Sequence, residues 1–166
     1  MLCLPLMWGK LLGAVWRGAP KGVRRWGVWL TQPRFTVTAG AVVEDERGRV
    51  LLLHHVFRKG SRWGIPGGFL TKGEQPEDAL RRELREEIGM EVESAELALA
   101  RTLAQPRQVE IIFRCRALAA ALPEEKLSME VDGAAWFALD SLPPELGRDQ
   151  RRLIETALAG RANPPV

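Results

Sequence analysis

The stretch Gly68–Met90, GFLTKGEQPEDALRRELREEIGM, decides how this chain is read. Its centre is Arg82-Glu83-Leu84-Arg85-Glu86-Glu87. On a helix, Glu83, Glu86 and Glu87 stand at i, i+3 and i+4 and fall within about 100° of arc. Like charges so spaced cost about 0.2–0.5 kcal/mol per pair in an isolated helix. A hard cation that takes oxygen ligands, Mg²⁺ or Mn²⁺, turns the repulsion into attraction.

A salt-bridged surface helix is the competing reading. Glu77–Arg81, Asp78–Arg82 and Arg82–Glu86 are i, i+4 pairs, and Leu80, Leu84 and Ile88 supply a buried stripe. The flanks argue for more. Pro66-Gly67-Gly68 is not expected inside an ordinary helix or strand, and Gly73 makes a second flexible turn. Pro76 suits the first helical turn, Glu77 and Asp78 follow at the positive end of the dipole, and Gly89 stops the helix.

With these residues in place the chain resembles the Nudix hydrolases. Their signature is Gly, five residues, Glu, seven residues, Arg-Glu, an apolar residue, any residue, Glu-Glu, any residue, Gly, an apolar residue. Here it reads Gly68, Glu74, Arg82-Glu83, Leu84, Glu86-Glu87, Gly89 and Met90, without departure. At average residue usage a chance match in this chain is about one in a million. The resemblance implies cleavage of a diphosphate linkage in a nucleoside diphosphate joined to another group. It implies Mg²⁺ (or Mn²⁺) held by Glu83, Glu86 and Glu87, with the Gly67 carbonyl, unscreened by a side chain, as a further ligand. Arg82 would orient a carboxylate of the cluster, and Glu74 would tie the loop to the helix. Gly68 and Gly89 are structural within the motif. Glu83 is one candidate for the base that takes the water proton.

Other members of the family take that base, or an extra ligand, from a later loop. In Glu124–Asp132 the preferred residue is Glu130, six residues before Trp136, against the reading of an acidic surface loop. Arg58, Lys59 and Arg62 precede the Pro-Gly-Gly turn. Arg58 and Arg62 are candidates for gripping phosphate, and a solvated loop is the alternative. His54 and His55 end an apolar strand on opposite faces, so strand packing is expected of them rather than a paired site. Pro106 lies 16 residues past Met90, as in ADP-ribose-cleaving members, and Gln105 beside it could meet a base or ribose. The absence of tyrosine argues against the dinucleoside-polyphosphate branch.

A 46% apolar content over 166 residues fits one substantial globular core. Two cysteines, Cys3 and Cys115, form no framework, and a cytoplasmic location is the expectation. No apolar run is long enough to cross a membrane. The net charge of +3 hides an asymmetry: residues 1–43 hold six Lys/Arg and no acid. Four of six tryptophans (Trp8, Trp16, Trp26 and Trp29) share that basic arm. Such composition suits a helix on an anionic bilayer surface. An arm folded over the domain is preferred, because Gly9, Gly13, Gly18, Gly22 and Gly27 interrupt a clean amphipathic helix. No nucleic-acid reading module is recognisable.

Strands are expected over 35–43, 50–55, 92–102, 109–118 and 134–139, with a closing helix over 149–159. Ile111, Phe113 and Cys115 should share one face. The pattern predicts an α+β fold, an α/β/α sandwich with a mixed sheet, in agreement with the Nudix resemblance. The expected organisation is a basic Trp-rich arm (1–33), a Nudix domain (34–161) and a short tail (162–166). The expected substrate is ADP-ribose or a nucleoside diphosphate sugar. The alternatives are an oxidised nucleoside triphosphate or, outside catalysis, a nucleotide-binding module. A homodimer is also possible by similarity.

Overall fold

A computed structural model of the protein describes residues 13–119 and 127–160. Cys3, Trp8, Gly9, Glu124 and the 162–166 tail, all read above, lie outside the described residues. The chain divides into two compact units, Met1–Arg34 and Phe35–Val166. In the first, residues 13–18 are helical and α1 spans Lys21–Thr31. Among the described residues no helix is long and apolar enough to cross a membrane.

The second unit is built on a seven-stranded sheet. Its strands are β1 (Thr36–Glu44), β2 (Val50–His55), β3 (Trp63–Gly64), β4 (Gly67–Phe69), β5 (Val92–Leu103), β6 (Gln108–Ala117) and β7 (Val131–Phe137). Among the described residues the α-helices of this unit are α2 (Pro76–Ile88) and α3 (Arg148–Ala159). The hydrogen-bonded order is β3-β2-β1-β6-β5, with β4 beside β1 and β7 beside β2. β1 and β6 run parallel and the other pairs antiparallel, so the sheet is mixed.

Side chains that alternate along each strand feed two separate cores. Ala39, Ala41, Val43, Leu51, Leu53, Phe113 and Cys115 face α2 and meet Leu80, Leu84 and Ile88. Val42, Val50, Leu52 and Ile112 face the other way and meet Leu153, Ile154 and Ala157 of α3. The layers are therefore helix, sheet, helix. Each fully buried leucine contributes about 1.5–3 kcal/mol to holding them together. Ile111 packs with Phe113 and Cys115, as the alternation predicts.

Two details matter for the site. β2 meets β1 only at Glu44–Val50 and then diverges, and β4 takes its place beside Thr38–Gly40. Gly67 and Gly68 thus lie in a short strand, although the Pro-Gly-Gly segment was not expected inside an ordinary one, and Pro66 stands just before it. Gly67 faces Gly40 at φ 146°, and a Cβ on it would come within 3.0 Å of the Ala39 carbonyl, so only glycine permits the pairing. β7 begins at Val131, three residues before the expected start, because a bulge at His54/His55 lets His55 pair with Val131.

Candidate active site

α2 presents the carboxylates. Pro76 opens it, Glu77 and Asp78 occupy the first turn, and Gly89 closes it in the left-handed conformation at φ 63°. Leu80, Leu84 and Ile88 lock one side into the core, which aims Glu83 and Glu87 at β4. Glu87 is 6% exposed and accepts a hydrogen bond from the Gly67 N–H at 3.2 Å. Burial pushes its carboxyl up to about 8; the nearby charges of Glu83 and Glu130 add to the rise, and the Gly67 N–H opposes it. Glu83 reaches Gly68, whose missing side chain leaves the room that the carboxylate fills.

Arg82 organises the cluster. Its Nε and Nη2 donate to the two oxygens of Glu74 at 2.9 and 3.1 Å, and Nη2 also donates to the Phe69 carbonyl. Its Nη1 donates to Glu83 at 2.8 Å and to Glu86 at 3.0 Å. The Arg82 hydrogen bonds, then the Thr71 N–H, hold Glu74 down at about 2. Glu74 thereby links Thr71, in the loop after β4, to Arg82 on the helix. Asp78 is not among the Arg82 partners.

The loop before β7 closes the other side. The Ser128 N–H donates to the Glu87 carbonyl at 3.0 Å, and the Val56 N–H donates to the Glu130 carbonyl at 2.8 Å. A cavity of 510 Å³ is lined by Gly67, Gly68, Phe69, Glu83, Glu86, Glu87, Ser128, Met129 and Glu130. A second, of 260 Å³, shares Gly67 and Glu130 and is otherwise lined by His55, Phe57, Arg58 and Ile65. It opens where β2 has parted from β1.

The sequence-predicted residues fall into two groups. Glu83, Glu86, Glu87, Gly67, Gly68 and Glu130 come together, with Arg82 and Glu74 behind them. Arg58 lines the adjoining cavity, its guanidinium lying where a Gly64 side chain would be. Desolvation lowers its pKa, and Glu110 and Asp149 oppose that. Arg62 is instead paired with Asp132 at 2.6 Å and bonded to the His55 carbonyl; Asp132 also holds His54. Gln105 sits exposed in the β5–β6 turn and lines neither cavity.

His55, of which only strand packing was expected, lines the second cavity. Its buried Nε2 has no hydrogen-bond partner, while its ring bonds the Ile65 backbone. Burial, helped by Arg58, pushes its pKa down to about 4. At neutral pH it is an uncharged ring at the cavity wall. No spacing rule could have shown this, because it depends on the divergence of β2 from β1.

The donor set fits a hard divalent cation. Every candidate donor is oxygen, and the Glu87 anion is disfavoured in its buried position until a positive charge joins it. Among the described residues no group of three or more acidic, histidine or cysteine side chains is already drawn together around a metal position.

The NUDIX domain family matches residues 34–157. A MutT-like protein of Streptomyces ambofaciens is 30% identical over 134 residues, 81% of this chain and 83% of that protein. The human 8-oxo-dGDP phosphatase NUDT18 is 36% identical over 124 residues, 70% of this chain but only 37% of that longer protein. The crystal structure of a MutT NUDIX hydrolase from Burkholderia pseudomallei superposes with a TM-score of 0.64 at 27% identity, covering 75% of this chain and 98% of that one. By this match the chain belongs to the Nudix family of hydrolases, which act on pyrophosphate bonds.

Proposed function

We propose that the protein hydrolyses the diphosphate linkage of a nucleoside diphosphate derivative, ADP-ribose or a nucleoside diphosphate sugar, with Mg²⁺ or Mn²⁺. The observation that carries this reading is the junction of two cavities at Gly67 and Glu130. One is lined by carboxylates and the other holds the Arg58 guanidinium, which makes no ion pair among the described residues. A bound divalent cation would neutralise phosphate oxygens and acidify a coordinated water. Glu83, Glu86 and Glu87, with the Gly67 carbonyl, would hold it. Arg82 keeps Glu83 and Glu86 oriented. Arg58 takes phosphate oxygens, and the exposed Phe57 offers a base a stacking face.

In the reaction a water oxygen bonds to phosphorus, the bridging P–O bond breaks, and the water proton passes to a carboxylate. Glu83 and Glu130 are the two candidates for that carboxylate. Two phosphomonoesters leave. Pro106 in the β5–β6 turn favours ADP-ribose, and the absence of tyrosine argues against a dinucleoside polyphosphate. Likeness to NUDT18 favours an oxidised purine nucleotide instead.

The test is phosphorus NMR of a panel containing ADP-ribose, UDP-glucose, 8-oxo-dGDP and 8-oxo-dGTP, in Mg²⁺ and in excess EDTA. Preferred turnover of ADP-ribose or the sugar nucleotide, lost in EDTA and lowered by orders of magnitude in Glu83→Gln and Glu87→Gln, supports the proposal. Preference for an 8-oxo nucleotide overturns the substrate class. Tight binding without product across the panel would indicate a nucleotide-binding module.

A further inference from the structure

We propose that α1, with Trp16 against it, is a docking surface for an anionic lipid bilayer. The glycines of this segment argue against a clean amphipathic helix, yet α1 runs unbroken through Gly22 and Gly27. Gly27 has a packing use: a Cβ there would lie 3.0 Å from the Trp16 ring, so the missing side chain seats that ring. None of the α1 residues is buried.

Around the helix the residues sort by kind. At 100° per residue Trp29, Trp26, Leu30 and Val23 cover an arc of about 120°, and Trp16 extends it at Gly27. Arg24, Lys21 and Arg25 occupy an arc of about 100° on the other side, interrupted only by Val28. Trp26 is 66% exposed, Leu30 57% and Val23 58%, too much apolar surface on one short helix to be left to water. Trp26 and Trp29 stack at 6.5 Å, and the Arg34 guanidinium lies 3.9 Å from the Trp29 ring centroid.

The charge decides the occupant. Residues 13–34 carry Arg17, Lys21, Arg24, Arg25 and Arg34 and no acid, so a second copy of this surface would be repelled. A nucleic acid would meet the basic arc, but Trp26, Leu30 and Val23 point away from it, whereas single-strand binding sites put aromatic platforms beside the cations. A bilayer uses both arcs together. The tryptophans and Leu30 enter the acyl boundary while the basic side chains reach back to lipid phosphates.

The test is flotation of the full chain with phosphatidylcholine vesicles, with and without phosphatidylglycerol. The expected result is flotation only with phosphatidylglycerol, weakening as salt rises. The vesicle-bound fraction should fall about tenfold in both Arg24→Glu/Arg25→Glu and Trp26→Ala/Leu30→Ala, with hydrolysis in solution unchanged. The proposal is overturned if the full chain does not float. It is equally overturned if flotation is the same without anionic lipid, survives in either variant, or is replaced by capture of a single-stranded RNA in filter binding. Because the readout is binding, failure of the proposed substrate reading leaves this test unaffected.

Discussion

Gly68 and Glu83 compete for one volume: a Cβ on Gly68 would come within 3.0 Å of the Glu83 carboxylate. The glycine of the motif is therefore a requirement of side-chain placement, since no left-handed backbone is recorded at this position. Gly68→Ala should leave the fold intact and push Glu83 out of place. A displacement of this order costs catalysis about 10²-fold. The check is kcat alongside thermal melting; normal turnover in a folded variant would remove Glu83 from its assigned place.

Arg82 engages Glu74, Glu83, Glu86 and the Phe69 carbonyl through a planar fork. A lysine keeps the charge but cannot span these partners. Arg82→Lys should lower kcat by about tenfold or more with little change in KM, if the residue acts by orienting carboxylates. Steady-state kinetics in saturating Mg²⁺ would show it. A rise in KM alone would contradict the orienting role.

The buried Glu87 makes metal-free stability depend on pH. Its carboxyl titrates near 8 when folded against an ordinary 4.5, so the folded chain holds a proton that the unfolded chain gives up, and stability falls as pH rises between those values. His55 acts in the opposite sense, its folded pKa near 4 lying below the ordinary 6.5, so its contribution grows with pH up to 6.5. The interval from 6.5 to 8 therefore isolates Glu87. In EDTA the melting temperature should decline across that interval in the wild type and stay level in Glu87→Gln. Mg²⁺, by favouring the anion, should flatten the wild-type profile.

Arg58 and Arg62 looked equivalent in the sequence and are not equivalent in the fold. Arg58 lines the cavity beside Glu130, while Arg62 is committed to Asp132. Arg58→Ala should raise KM by about ten- to a hundredfold, the loss of one charge-assisted contact of about 1.5–3 kcal/mol. Arg62→Ala should change KM less than threefold, a bound of roughly 0.6 kcal/mol. Equal effects from the two variants would show that Arg62 leaves Asp132 to meet substrate.

Much of this was legible in the chain itself. Helix α2, its Pro76 start, its Gly89 stop and the grouping of Glu83, Glu86 and Glu87 follow from local spacing, because helix geometry is fixed over four residues. The two-sided burial of β1 and β2 follows from alternation once both faces are covered. Residues Gly67–Phe69 were misread because their strand pairing relies on Gly40, far away in sequence. The continuity of α1 through Gly22 and Gly27 was not legible, because Gly27 reads as a helix breaker until Trp16 is seen against it.

The amino-acid order alone determined the helix, its three carboxylates and the chemistry they suit, since those depend on neighbours within a turn or two. Only the tertiary structure decided that Glu87 is buried, that Glu130 stands near it, and that Arg58 and His55 share a cavity while Arg62 is held by Asp132. These relations arise where β2 leaves β1 and β7 follows it, and strand divergence is set by long-range pairing that no local pattern encodes.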